Sequence, residues 1–271
     1  MRTAGQIVTA DLVHDRIAAL QSRPAGRQAR IERLELYGTT LWLKRPERRK
    51  SLRWRLQKGD PRRALANDIA GLHFLAEHDV PAPKILASGA DFLVTEDAGQ
   101  PLDRILAEGE RSDSAELTAA AARTLAALHR AGARHGRPKL RDICWDGNKA
   151  RLIDLERFAA PVTARAMGLD WAILLHSILE IRPDDGAAVT SAVETYRNEA
   201  PQAAVDAGTR LVRRLGWIAP LVRLALRIWP DQRELTAAAR LPAAFEETCA
   251  RRPPSIRAQR GPASRSTDRD G

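Results

Sequence analysis

Cysteine is almost missing from this chain of 271 residues: there are two, Cys144 and Cys249, far apart and in no CxxC pair. The six histidines show no metal-ligand spacing either. A disulfide framework and a structural zinc site are therefore not expected, and a reducing, cytoplasmic setting is the default. Aromatic residues make up 4% of the chain, with no zinc-finger or RNP signature, so only its charge speaks for nucleic-acid binding. No run of about 18 uninterrupted apolar residues exists, as a spanning helix would need. The nearest, Leu211 to Trp229, is broken by Arg213, Arg214, Arg223 and Arg227. No apolar h-region opens the sequence, so no secretory signal is expected. A glycine-rich G-x-G-x-x-G loop is also lacking near residues 18–26.

What is present is an ordinary globular composition, 44% hydrophobic and 29% charged, long enough for one domain or one two-lobed unit. The net charge of +10 favours acidic partners: phosphorylated substrates, nucleotides, nucleic acid or an anionic membrane surface. Part of that charge is equally well read as solvated surface.

Ile31 to Tyr37 alternates apolar and polar residues as a half-buried strand does. Gly38-Thr39-Thr40 signals a turn and Leu41-Trp42-Leu43-Lys44 the returning strand of a hairpin. Leu12 to Leu20 reads as a strand or a short helix. From Arg45 to Arg63, nine of nineteen residues are Lys or Arg; the segment is either a glycan-binding surface or a solvated loop. Asp60-Pro61 starts a helix that runs to about His78, with Asp60 as N-cap. Lys84–Leu86 and Phe92–Thr95 are two short strands, and 96–101 is a linker. Helices are then expected from Ser114, as N-cap, to Ala131, and near 166–181, 186–198, 201–218, 220–229 and 233–249, with a short strand at 151–154. The order predicts an α+β fold of two lobes: residues 1–97 sheet-rich, 98–250 helical, and 251–271 a disordered basic tail.

Phosphoryl transfer asks for a cation on the nucleotide phosphates, carboxylates for Mg²⁺ and a group near the attacking hydroxyl. Lys44 at a strand end and Asp68 one helix later suit the first requirement, although an ordinary Lys and an exposed Asp would look the same. Leu128 to Gly136, then His135-Gly136-Arg137-Pro138-Lys139-Leu140-Arg141-Asp142, resembles the approach to a kinase catalytic loop. Leu152-Ile153-Asp154-Leu155-Glu156 resembles the strand carrying the Mg²⁺-binding Asp of Asp-Phe-Gly, and Phe92 to Leu102 the inter-lobe hinge of aminoglycoside-phosphotransferase-like kinases. The chain from about 30 to 180 thus resembles the protein-kinase-like superfamily, and is most similar to bacterial lipopolysaccharide core (Kdo and heptose) kinases and their uncharacterised relatives.

That resemblance implies ATP and Mg²⁺ as cofactors. It places Lys44, Asp68, Glu96 and Ala98 on the nucleotide, the last two through hinge backbone, and Asp142 and Asp154 on the metal. His135 takes a structural, hydrogen-bonding place in the catalytic loop. Asp170 is either the buried brace of that loop or a plain N-cap. The loop departs from the family pattern: Arg137 stands at the base position and Asp142, five residues later, at the position of the metal-binding Asn. A guanidinium stays protonated and cannot accept a proton. Either Asp142 is both ligand and orienting carboxylate, or Arg137 stabilises transferred charge and no base is needed, or the protein is a nucleotide-binding pseudokinase. The implied acceptor is a small molecule or glycan hydroxyl, itself phosphorylated or not. Pro220 to Trp229, with Arg223 and Arg227 one turn apart, is either a packed helix or a peripheral contact with an anionic inner membrane.

Overall fold

A computed structural model of the chain describes residues 29–36, 38–47, 60–228 and 232–250. The expectations for 12–20, for most of the basic segment (48–59) and for the tail at 251–271 fall outside them.

The first half is a four-stranded antiparallel sheet with one helix. Strands β1 (Ile31–Leu36) and β2 (Thr39–Lys44) form the expected hairpin, in register Leu34↔Leu41 and Ile31↔Lys44. Thr39 and Thr40 belong to β2 and not to the turn, which tightens around Gly38 at φ 76°. Strands β3 (Ile85–Gly89) and β4 (Phe92–Glu96) complete the order β1-β2-β4-β3. Period-2 alternation sends Leu34, Leu36, Leu41, Leu43 and Val94 into one small core. It also sends Trp42 and Lys44 to the opposite face, towards the second half of the molecule.

Helix α1 (Pro61–Glu77) starts as its residues dictate: Asp60 accepts a hydrogen bond from the Arg62 N–H and Pro61 occupies the first turn. Leu65, Leu72 and Leu75 form its buried stripe, and Asp68 is buried among them. A carboxylate in an apolar stripe requires a partner, and Asp68 finds its own across the gap between the two halves.

From Leu102 onwards helices dominate. They are α2 (Leu102–Glu108), α3 (Ser114–Arg130), α4 (Ala164–Ile181), α5 (Gly186–Glu199), α6 (Gln202–Leu215), α7 (Ala219–Ile228) and α8 (Arg233–Ala250). Helix α3 packs on α5 and α4 on α6. Alanines 120, 121, 122 and 126 on α3 are buried, which lets its neighbours approach closely. The Thr118 hydroxyl donates across to the Ala188 carbonyl at 2.8 Å. Gly168 of α4 meets Gly208 of α6, where a Cβ on Gly168 would lie 2.5 Å from the Gly208 nitrogen. No helix of the described residues is long and apolar enough to cross a membrane.

Several local expectations need correction. The N-cap of α3 is Asp113; Ser114 is inside the first turn and its hydroxyl donates to Asp185 at 2.6 Å. The supposed linker contains a strand, β5 (Gln100–Pro101), which pairs with β6 (Ile143–Trp145), and β6 pairs with β7 (Ala150–Leu152). Strands of two or three residues are too short to show a period. The strand expected at 151–154 spans Ala150–Leu152, and Asp154 beyond it adopts φ 61°. Asp170 is no N-cap: Thr163 caps α4, accepting from the Ala166 N–H.

Some buried polar groups in the helical half pair with one another. Tyr196 stacks on Trp171 at 4.1 Å, and its hydroxyl lies 2.6 Å from His129 Nδ1. Burial holds the phenol above its ordinary pKa and the imidazole below its own, so both stay neutral. Tyr196→Phe should strand the His129 nitrogen and cost about 1–3 kcal/mol, read as a lower midpoint in denaturant unfolding.

Candidate active site

Lys44 ends β2 beside the helical half, and its ammonium is ringed by carboxylates. Nζ lies 2.6 Å from Asp68 Oδ2, 2.7 Å from Asp154 Oδ1 and 2.9 Å from Glu156 Oε1. Burial alone would lower its pKa, but Asp68, Asp154 and Glu156 outweigh that and hold it above the ordinary lysine value. Asp68 is one methylene shorter than Glu, so its helix must come close. Gly71, one turn on, allows this: a Cβ there would lie 2.8 Å from Leu155 Cβ. Asp68 uses its second oxygen to accept the Leu155 N–H at 2.8 Å, which fixes the backbone just after Asp154. The left-handed φ of Asp154 is uncommon for a residue with a side chain, and such conformations gather at functional sites.

The loop from His135 to Asp142 is anchored at both ends on one face of α4. Asp170 accepts the His135 and Gly136 N–H groups at 2.7 and 3.0 Å, and the Ser177 hydroxyl accepts from Leu140 N at 3.0 Å. Gly136, at φ 93°, passes so close to the chain that a Cβ would meet Arg157 Cβ at 2.5 Å. His135 Nε2 lies 2.9 Å from the Ile153 carbonyl, bracing the loop against the segment that carries Asp154. Asp142 lies in a 3-10 turn (Leu140–Asp142), and its backbone carbonyl accepts from the Ile153 N–H at 3.0 Å. Arg137 reaches between the two acids, Nη2 3.5 Å from Asp154 Oδ2 and Nε 3.8 Å from Asp142 Oδ2.

These two carboxylates differ electrostatically. Burial and then Asp154 push Asp142 above the usual carboxylate range, against the pull of Arg137. Burial works the same way on Asp154, but Lys44 and then Arg137 outweigh it and hold it below that range. Asp142 Oδ2 is buried and accepts no hydrogen bond among the described residues. A hard carboxylate oxygen left without a donor, beside a second carboxylate, fits Mg²⁺; Asp142 and Asp154 would hold it.

Two cavities meet at Lys44 and Asp154. One, of about 300 Å³, is a slot between the halves lined by Trp42, Leu72, Leu93, Ala98, Cys144 and Ile153. Glu96 also lines it, with its side chain engaged by Arg151 at 2.8 Å. Asp97 accepts from the Trp42 indole at 2.7 Å, and Gly99 turns against the Trp145 carbonyl, so the crossing segment is held firmly. Burial, with help from Asp97, pushes the Cys144 thiol up to about 12, so it stays a neutral wall of the slot. The second cavity, about 230 Å³, is basic: Arg30, Arg45, Arg137 and Arg157 line it. A flat apolar slot opening onto a cationic chamber, with two acids at the junction, suits a nucleotide whose base and phosphates occupy the two compartments.

The sequence profile of the APH group, the phosphotransferase enzyme family, matches residues 37–260. The chain belongs to that family. It is 33% identical over 132 residues to an uncharacterised protein of Haemophilus influenzae, a match covering 48% of this chain and 54% of that protein. The chain therefore spans about half the length of that relative. Among solved structures it is similar to the bifunctional kinase-methyltransferase WbdD, 20% identical with a TM-score of 0.39, over 82% of this chain and 43% of that one. It is also similar to an aminoglycoside-3'-phosphotransferase of type VIII, 16% identical with a TM-score of 0.41, over 86% and 98% of the two chains. Likeness at this level says nothing of substrate.

As a phosphotransferase-family member the chain has the two-lobed, kinase-like α+β fold that the resemblance implied. Its structure brings Lys44, Asp68, Arg137, Asp142 and Asp154 together, and puts Glu96 and Ala98 on the slot. Sequence reasoning missed Glu156, which shares Lys44 and also receives Arg30 at 2.5 Å. The Asp-x-Glu spacing at 154 and 156 was the available signal. It also missed Gly71, three residues after Asp68.

Burial already holds the Asp68 carboxyl above its ordinary pKa, against the pull of Lys44; in Lys44→Met it loses that cation and its pKa rises further. Protons then favour the folded state, so stability should fall as pH rises through the window above the unfolded carboxylate pKa of about 4. Thermal melting at pH 5 and pH 7 should show a steeper loss with pH in the variant than in the wild type.

Proposed function

We propose that this family member transfers the γ-phosphoryl group of ATP, with Mg²⁺, to a hydroxyl of an anionic saccharide such as a lipopolysaccharide core. The observation that carries the reading is the junction of the two cavities at Lys44 and Asp154. There an ammonium would meet the α- and β-phosphates, while Asp154 and Asp142 would hold the metal. Bound Mg²⁺ would neutralise charge on the phosphates. With no glycine-rich loop expected, phosphate contacts fall to side chains of the basic chamber. Arg45 is suited to this: its Nη1 is held by Glu32 while its buried Nη2 has no hydrogen-bond partner among the described residues. The arginines of that chamber also favour an acceptor bearing phosphate or carboxylate. Arg137 cannot act as a base. Its place between Asp142 and Asp154 suits stabilising charge on the group in flight, and a loose transition state makes little demand for a base.

A second reading rests on the same guanidinium. Arg137 already compensates both acids, as it would in a protein that binds nucleotide without transferring phosphate. Transfer of label from γ-labelled ATP to purified lipopolysaccharide core, with generic protein acceptors alongside, separates the two. Wild type should label the saccharide and Asp154→Ala should not. ATP binding with no transfer to any acceptor would favour the second reading.

If Asp142 holds the metal it must be ionised. Its raised pKa then predicts an acid limb of activity lying above the ordinary carboxylate range. Arg137→Gln removes a cation that lowers this pKa, so the limb should move to higher pH in a pH–rate profile.

A further inference from the structure

Four large apolar side chains stand in water along one short stretch: Trp217 is 73% exposed, Leu221 61%, Leu224 55% and Ile228 67%. Leu221, Leu224 and Ile228, three and four residues apart on α7, lie within roughly 40° of one line at about 100° per residue, and Trp217 stands just before them in the 3-10 turn Gly216–Ile218. Helix α7 does pack, but by its other side: Val222, Ala225 and Leu226 are half-buried and the helix lies against α8. The packed-helix alternative thus accounts for one face only, and the second apolar face has no cover among the described residues. Single exposed leucines are ordinary, whereas a contiguous stripe marks an interaction surface.

Charge narrows the occupant. Residues 207–230 contain five arginines, at 210, 213, 214, 223 and 227, and no acidic residue. Arg213 and Arg214 are exposed in the last turn of α6, and exposed Arg227 flanks the apolar stripe. A second copy of this face would bring arginines against arginines with no carboxylate to receive them. A bilayer with anionic headgroups offers both complements at once: hydrocarbon for the stripe and negative charge for its flank. Helix α7 has 10 residues, so it is about 15 Å long. That is too short to span a membrane and sufficient to lie in its interface.

We propose that the stretch from Trp217 to Ile228 docks the protein on an anionic lipid surface, with Leu221, Leu224 and Ile228 entering the acyl boundary and the neighbouring arginines on the headgroups. This goes beyond the proposed activity and does not depend on it. The test is cosedimentation of the full chain with vesicles of mixed phosphatidylglycerol and phosphatidylcholine, compared with phosphatidylcholine alone. Binding should require the anionic lipid and weaken as salt rises. It should drop at least tenfold in Leu221→Glu/Leu224→Glu and in Trp217→Ser, with melting temperatures close to wild type because these side chains are exposed. Absence of binding to the anionic vesicles would overturn the proposal. So would binding that these variants leave intact, or a lipid-free dimer that the double variant splits into monomers.

Discussion

The Lys44 ammonium is the point on which the two halves of this molecule agree. It comes from the end of a strand in the first sheet, and its three carboxylates come from α1 and from the segment just after β7. No single element could bury any of these charges alone, since an unpaired buried charge costs several kcal/mol. The sheet, α1 and the chain after β7 therefore have to meet at this point in the folded state. Asp68 shows the coupling most clearly. One oxygen meets the lysine and the other the Leu155 N–H, so one side chain positions both the cation and the backbone of the Asp154 segment.

Around that point the rest is support. Asp170 and Ser177, seven residues apart on α4, hold the two ends of the loop that carries Arg137 and Asp142. His135 ties the loop to Ile153, and Asp142 does the same through its backbone carbonyl. Arg137 lies between two carboxylates that burial and neighbouring charge push in opposite directions. On the proposed reading this contrast has a use: Asp154 would stay ionised for the metal, while Asp142, with an oxygen that accepts no hydrogen bond among the described residues, would respond to the arriving cation. On the same reading, the basic chamber beyond them would supply through arginines what a glycine-rich loop supplies through backbone amides.

Much of this was legible in the sequence because it depends on local patterns. The period-2 run at Ile31 to Leu36, the Asp60-Pro61 cap and the long apolar helices are each determined by neighbouring residues, and the structure has them within a few residues. The five-residue spacing from Arg137 to Asp142 and the twelve from Asp142 to Asp154 carried the family resemblance. What could not be read depends on tertiary proximity. Strands as short as Gln100–Pro101 and Ile143–Trp145 exist only because each finds the other. Ser114 gives up a cap position because Asp185 lies across from it. Glu156 becomes a partner of Lys44 only once Asp154 takes its left-handed turn, and Gly71 matters only when α1 meets Leu155. The exposed stripe on α7 is a further case: periodicity reveals an apolar face but cannot say whether the fold covers it.

The central claim is that the junction at Lys44 and Asp154 is where the phosphates of a nucleotide bind. Isothermal titration of the wild-type chain and of Lys44→Met with ATP in the presence of Mg²⁺ tests it most directly. The account predicts one site per chain for the wild type, and affinity reduced at least tenfold in the variant. No binding to the wild type, or equal affinity for both proteins, would contradict it.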